Sequence, residues 1–179
     1  MPLEVRDGGF EPAQVRMPSG AKVRLEVSNE TATAIEFATR HPERVSHLVL
    51  YGGYARGAAR RGDPDAARFY EALAEIVRLG WASDNPSIRQ VFTSRFIPDA
   101  SPEQIGWFNE LCRRTTSPEM AAEIVRARAN IDVRHLLPQV RVPTLVIHAD
   151  QDNVVPVAEG RLLASEIPDA QFVQIHSRN

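Results

Sequence analysis

The sequence predicts an α/β fold: a mainly parallel, partial sheet with an N-terminal β-hairpin and an inserted cap of four helices. Three observations lead there. Two apolar runs suited to strands, Val45 to Tyr51 and Pro143 to His148, are separated by a long helical stretch. The chain then closes on strand, helix and strand with short links, the pattern of parallel pairing through a right-handed crossover. The first third, by contrast, alternates polar and apolar residues as half-buried strands do.

In chain order, Gln14–Met17 and Lys22–Val27 carry that alternation, and Pro18-Ser19-Gly20 supplies the turn between them. A hairpin over 12–27, covering one edge of the sheet, is the expectation, with 22–27 joining the sheet. Helical spacing starts after Ser28. Ala34, Ile35, Phe37 and Ala38 share one side of a short helix that Ser28 or Thr31 can cap, and His41-Pro42 stops it. Val45 to Tyr51, ending in Gly52-Gly53, suits a central parallel strand.

From Asp65 to Ile131 the residues read as helical, divided by Pro86, Pro98, Pro102 and Pro118. Four helices follow: Ala66–Trp81, Ser87–Phe96, Pro102–Arg114 and Pro118–Ile131. Ser101-Pro102-Glu103-Gln104 and Ser117-Pro118-Glu119 are strong starts, each with a cap, a proline in the first turn and an early carboxylate. Strand character returns at Pro143–His148, then a polar turn over Ala149–Asn153, a helix over Val157–Glu166 and a last strand over 170–175. The implied organisation is a hairpin segment (1–33), a core (34–54 and 133–179) and a helical cap (55–132).

A chain of 179 residues, 43% hydrophobic and 25% charged, is one domain or a core with an inserted subdomain, packed rather than disordered. Net charge is −2, with both signs interspersed. Such a balance gathers no phosphates, so no nucleic-acid partner is expected. Cys112 is the single cysteine, which excludes an internal disulfide and a multi-cysteine metal cage. No cofactor and no metal are expected. The start, Met1 to Asp7, lacks the pattern of a signal peptide, and no apolar run reaches the roughly 18 residues of a membrane span. A cytoplasmic protein without a membrane partner is the expectation.

Three stretches carry a family resemblance. Ala34 to Val45 (AIEFATRHPERV) resembles the helix that follows the nucleophile in α/β-hydrolases, and Val45 to Gly53 (VSHLVLYGG) is similar to the next core strand. Val142 to Pro156 (VPTLVIHADQDNVVP) resembles the strand and turn that carry the catalytic acid. In detail the chain looks most like the hydrolase-like domains attached to bacterial cyclase or transcriptional-regulator modules. Residues 10–29, separately, resemble the opening hairpin of a cupredoxin-like domain. Copper does not follow, because that site needs two histidines and a cysteine in close array, and the segment has none.

The hydrolase chemistry needs a serine on a tight turn, a histidine to take its proton and a carboxylate to orient the histidine. The resemblance assigns the acid to Asp152, with Asp150 as near neighbour; an aspartate after a strand also serves as an ordinary cap. Ser28, twelve residues before Arg40, falls at the nucleophile position. Its surroundings read Glu26-Val27-Ser28-Asn29-Glu30 where the family has G-x-S-x-G, so both glycines are glutamates. Crowding a nucleophile turn adds to a strain that already costs about 1–3 kcal/mol. Ser28 fits a helix N-cap as well. The family's base follows the last strand, where this chain reads Ser177-Arg178-Asn179; His176 is the nearest histidine, and it falls on the strand. The expectation is therefore an incomplete triad on a truncated or chimeric chain.

Three functions are weighed. One is a non-catalytic hydrolase-like protein that binds a small apolar ligand beneath the cap, lined by Trp81, Phe92, Phe96, Trp107 and Phe108, or that acts through protein contacts. The same aromatics fit plain core packing. Another is a serine esterase acting on small esters through Ser28, Asp152 and His176. The third is a cupredoxin-like binding module. Half a sheet leaves edges unpaired, which points to a homo-oligomer.

Overall fold

A computed structural model of the chain describes residues 4–6, 9–11 and 31–178. Ser28, the hairpin expected over 12–27 and most of the segment similar to a cupredoxin opening lie outside the described residues. Near the N-terminus, β1 (Glu4–Arg6) pairs antiparallel with β2 (Gly9–Glu11). The sequence reading placed no strands there, because three-residue segments are too short for an alternation to register.

The central layer is a parallel sheet in the order β3 (Leu48–Tyr51), β4 (Thr144–Ala149), β5 (Gln171–Ile175). Apolar β-formers dominate all three strands, and the register lines up side-chain rows across them. Leu50, Val146 and Phe172 form one inner row; Tyr51, Ile147 and Val173 form a row on the opposite face. β3 starts at Leu48 rather than Val45 because a short 3-10 turn at Pro42–Arg44 intervenes, and Val45 N–H donates to Pro42 O.

Two helices cover the inner face. α1 (Thr31–Arg40) contributes Ile35 and Ala38, and α6 (Val157–Glu166) contributes Leu163. With Ile167 they close over Leu48, Leu50 and Val146. A 3-10 turn at Arg134–Gln139, unforeseen from the sequence because Pro138 interrupts any helical pattern, adds the fully buried Leu137 to this core. The other face is open among the described residues. Val49 is 59% exposed and Val173 44%, and among the described residues β3 stands at an edge of the sheet rather than at the centre its apolar run suggested.

Between β3 and β4 stands the cap: α2 (Ala66–Gly80), α3 (Ser87–Phe96), α4 (Pro102–Thr115) and α5 (Pro118–Asn130). Their bounds fall within a residue of those expected, for a physical reason. Ser101 Oγ accepts from Gln104 N–H while Gln104 Oε1 accepts from Ser101 N–H, a reciprocal box that fixes the start of α4. Ser117 Oγ caps α5 through Met120 N–H. α2 and α5 pack side by side, with Ala74, Val77 and Trp81 against Ala121 and Ala122. The small side chains let the backbones approach closely.

Cap and core meet at a backbone zip. The chain enters the cap through Ala55-Arg56-Gly57 and leaves it through Ile131-Asp132-Val133. Gly57 N–H donates to Ile131 O (2.8 Å) and Val133 N–H to Ala55 O (3.0 Å), with Arg56 and Asp132 in an antiparallel bridge. Gly57 is wedged against the carbonyls of Arg128 and Ala129, and a Cβ there would collide with both. None of the described helices is long and apolar enough to cross a membrane.

A side chain at position 57 must push α5 away from the zip. Overpacking of this kind costs about 1–3 kcal/mol and more when the obstacle is backbone. Gly57→Val is expected to lower the thermal unfolding midpoint by several degrees, read by circular dichroism, and an unchanged midpoint would contradict this account of the hinge.

Candidate functional site

The carboxyl ends of parallel strands, where loops converge, form the natural crevice of such a sheet. Asp152 stands there, in the turn after β4. Its Oδ1 accepts from the backbone N–H groups of Val154 (2.7 Å) and Val155 (2.8 Å). Oδ2 lies beside Gly52 at the end of β3, 3.6 Å from where a Cβ would stand. The side chain is only 17% exposed.

His148 supports this turn from below. It is fully buried on β4, with Nε2 3.0 Å from Val155 O and 3.8 Å from Asp152 Oδ2. Donation to Val155 O requires the proton on Nε2. Nδ1 then faces the backbone at Gly160 and has no hydrogen-bond partner among the described residues. His148 therefore clamps the acid turn and has no route to solvent.

His176, the sequence-level base candidate, lies just past β5. Its ring is 82% exposed, and Nδ1 sits 2.9 Å from Asp150 Oδ2. It thus pairs with Asp150, not with Asp152. The last strand determines this choice: Asp150 N–H donates to Ile175 O and Gln151 N–H to Ser177 O, so the turn after β4 is stitched beside His176. The hydrogen bond raises the His176 pKa above 6.5 and lowers that of Asp150 below 3.8.

Next to the acid turn lies a cleft of ≈ 120 Å³ between cap and core. Phe92 and Phe96 of α3 line it, with Leu73 from α2, Ile124 and Val125 from α5, Tyr54 from the entry segment, and Val154 and Val155 from the acid turn. The other three aromatics singled out from the sequence do not line it. Trp81 packs inside the cap, edge-on to Phe92 at 5.5 Å, with its indole N–H donating to Cys112 O. Trp107 is 66% exposed on α4, with Phe108 half-buried beside it. Helical periodicity gave all five a common character, but α4 turns its aromatics away from the core side.

Three arginines complete the lining: Arg61, Arg95 and Arg128. Arg61 lies over the Tyr54 ring (5.4 Å) and Arg128 over the Phe96 ring (5.5 Å), while Arg128 Nε donates to Tyr54 Oη. Arg95 Nη2 donates to Asn153 O, joining α3 to the acid turn. Beneath them, buried Glu159 pairs with Arg56 (Nη2–Oε1 2.7 Å), and Arg61 Nε lies 3.8 Å away. None of these residues was singled out from the sequence. Arginines scattered along an arginine-rich chain look like surface, and Glu159 in a first helical turn looks like an ordinary match to the helix dipole. Among the described residues, no three His, Cys, Asp or Glu side chains converge as a metal would require.

A parallel sheet, an acid at the carboxyl end of β4 and a helical cap inserted after β3 define an α/β-hydrolase fold. Over residues 31–177 the chain matches the family described as serine aminopeptidase, S33, and it belongs to that family. It is 28% identical over 142 residues to a pimeloyl-[acyl-carrier protein] methyl ester esterase of Neisseria meningitidis serogroup B, covering 78% of this chain and 54% of that protein. It is likewise 28% identical over 176 residues to a 2-hydroxy-6-oxononadienedioate/2-hydroxy-6-oxononatrienedioate hydrolase of Pseudomonas sp, covering 93% and 60%. Among solved structures, a thermophilic esterase from Thermogutta terrifontis superposes with a TM-score of 0.60 at 27% identity, covering 82% and 53%. An esterase from Exiguobacterium antarcticum gives 0.67 at 24%, covering 80% and 54%. The chain spans a little over half the length of these relatives.

Two outcomes test the geometry. The first concerns Glu159, whose side chain is only 3% exposed. Removing the partner of a buried charge costs about 3–5 kcal/mol, and Arg61 at 3.8 Å offsets part of that. Arg56→Ala should lower unfolding stability by about 3 kcal/mol in a denaturant titration; a loss below ~1 kcal/mol would mean the pair is solvent-screened.

The second concerns His176. With its pKa raised, the pair favours the folded state at pH below the ordinary 6.5 and loses that effect as pH rises through the folded value. With the Asp150 pKa lowered, the aspartate's contribution is present above 3.8 and lost as pH falls through its folded value. The His176 ring should therefore titrate above 6.5 by NMR and return toward 6.5 in Asp150→Asn, whereas Asp152→Asn leaves it unchanged.

Proposed function

We propose that this chain is a hydrolase-fold small-ligand binder that does not turn over esters by itself. The observation that carries this reading is the commitment of the two histidines nearest the acid. His148 is buried under the turn and donates its Nε2–H to Val155 O, and exposed His176 is held by Asp150, 2.9 Å away. Neither offers Asp152 the imidazole that a serine triad needs. The carboxylate instead organises its own turn through two backbone donors. That turn forms one wall of an apolar cleft of ≈ 120 Å³, below the ~300–1,000 Å³ of drug-sized sites. The cleft's dimensions support a ligand the size of a short acyl or aromatic group.

A second reading, a serine esterase acting on small esters through Ser28 and Asp152, has support from the esterases and hydrolases among the relatives. Loss of either nucleophile or base costs on the order of 10⁶ in turnover, about as much as loss of the whole triad. The two readings therefore separate cleanly. Hydrolysis of p-nitrophenyl butyrate is expected at the buffer rate, unchanged by Ser28→Ala or Asp152→Asn. Saturable hydrolysis abolished by either substitution would overturn the binding-only reading in favour of the esterase.

A further inference from the structure

From the charges around the cleft we infer that its ligand is a short aliphatic acid, its chain among Phe92, Phe96 and Val125 and its carboxylate against Arg61, Arg95 and Arg128. Resting on the reading of the cleft as a ligand pocket, this assigns the chemical class of the occupant.

The lining is apolar except at one kind of group. Three guanidinium side chains reach it, and among the described residues no acidic side chain lines it. A merely solvated surface would intersperse the two signs, as the rest of this chain does. The arginines come from three separate elements: the segment entering the cap, α3 and α5. Each is half-buried, which restricts water and strengthens any charge-assisted hydrogen bond they make.

Their own contacts hold Arg61 and Arg95 in place and leave some of their donors toward the cleft, while Arg61 Nε also lies 3.8 Å from Glu159. Arg61 is stacked over Tyr54 and gives Nε to Arg56 O. Arg95 gives Nη2 to Asn153 O. Among the described residues the other donors of these two side chains meet no acceptor, so both terminal nitrogens of Arg61 and two nitrogens of Arg95 remain for a ligand. Arg128 is oriented by Tyr54 Oη and the Phe96 ring. Of the nearby carboxylates, Glu159 is held by Arg56, and Asp152 is turned onto the backbone of Val154 and Val155. Arg61 and Arg95 therefore offer donors to the cleft, and neither Glu159 nor Asp152 lines it. A planar carboxylate matches the guanidinium fork, and the cleft volume of ≈ 120 Å³ leaves room for a chain of a few carbons.

Isothermal titration calorimetry on the full chain, with hexanoate, hexanamide and hexyl phosphate as separate titrants, tests this. Hexanoate should bind at least about tenfold more tightly than hexanamide, a factor that one charge-assisted hydrogen bond supplies. Arg95→Gln should weaken hexanoate about tenfold and leave hexanamide unchanged. Arg61→Gln serves as a second variant, and thermal melts confirm that each is folded. Equal binding of acid and amide, or hexanoate binding indifferent to both substitutions, would overturn the assignment. Tighter binding of hexyl phosphate would overturn the carboxylate in favour of a phosphate. None of these titrants is a carboxylic ester, so ester hydrolysis by the chain leaves this test intact, and the hexanamide arm reads the pocket apart from its charge.

Discussion

A single buried carboxylate fixes how the two parts of this molecule meet. Glu159 is 2% exposed in the first turn of α6, and a charge so placed must be paired. Its partner, Arg56, belongs to the segment entering the cap, which is zipped to the segment leaving it. One ion pair therefore ties the cap's hinge to the helix that follows the acid turn. The N-terminal end of α6 also favours a negative side chain, so Glu159 is held by the helix dipole as well as by arginine. The junction thus joins the cap's entry segment to the core beside the acid turn.

Much of this was legible in the sequence, and the legible parts share a cause. The four cap helices begin at proline and serine signals whose effects are local, so Ser101 and Ser117 announced α4 and α5 almost to the residue. β4 was legible as a short, apolar, buried run bounded by turns, and β5 by its apolar residues interspersed with glutamine in a short segment between turns. Asp152 was found through resemblance, and the geometry gives it a physical role in the double hydrogen bond to Val154 and Val155.

What was not legible depends on partners distant in sequence. His176 looked like a base candidate for Asp152 by proximity to the family position, yet strand pairing brings it to Asp150 instead. Trp107 and Phe92 looked equivalent by helical spacing, but one is exposed and the other lines the cleft. The apolar run of β3 likewise suggested a central strand, yet among the described residues it stands at an edge with Val49 exposed. Apolar composition records what a surface would prefer, not which elements among the described residues cover it. The arginine cluster was hidden for a related reason: Arg61, Arg95 and Arg128 are spread over 68 positions and meet only through the fold.

Val154 and Val155 show how such a fold separates its scaffold from its specificity. Their side chains form a wall of the cleft, while their backbone N–H groups hold the Asp152 carboxylate. Arg95 reaches the same turn through Asn153 O, again a backbone atom. The Asp152 carboxylate is thus held by main-chain donors, with the His148 side chain bracing the same turn from below. The cleft, in contrast, is shaped by those side chains and by residues from the cap. On the proposed reading of the cleft as a ligand pocket, its preference would change through the wall and the arginines while the carboxylate keeps its backbone donors, the physical sense in which one fold carries many chemistries. The cost is rigidity at the turn, and buried His148, with Nε2 bound to Val155 O, supplies it.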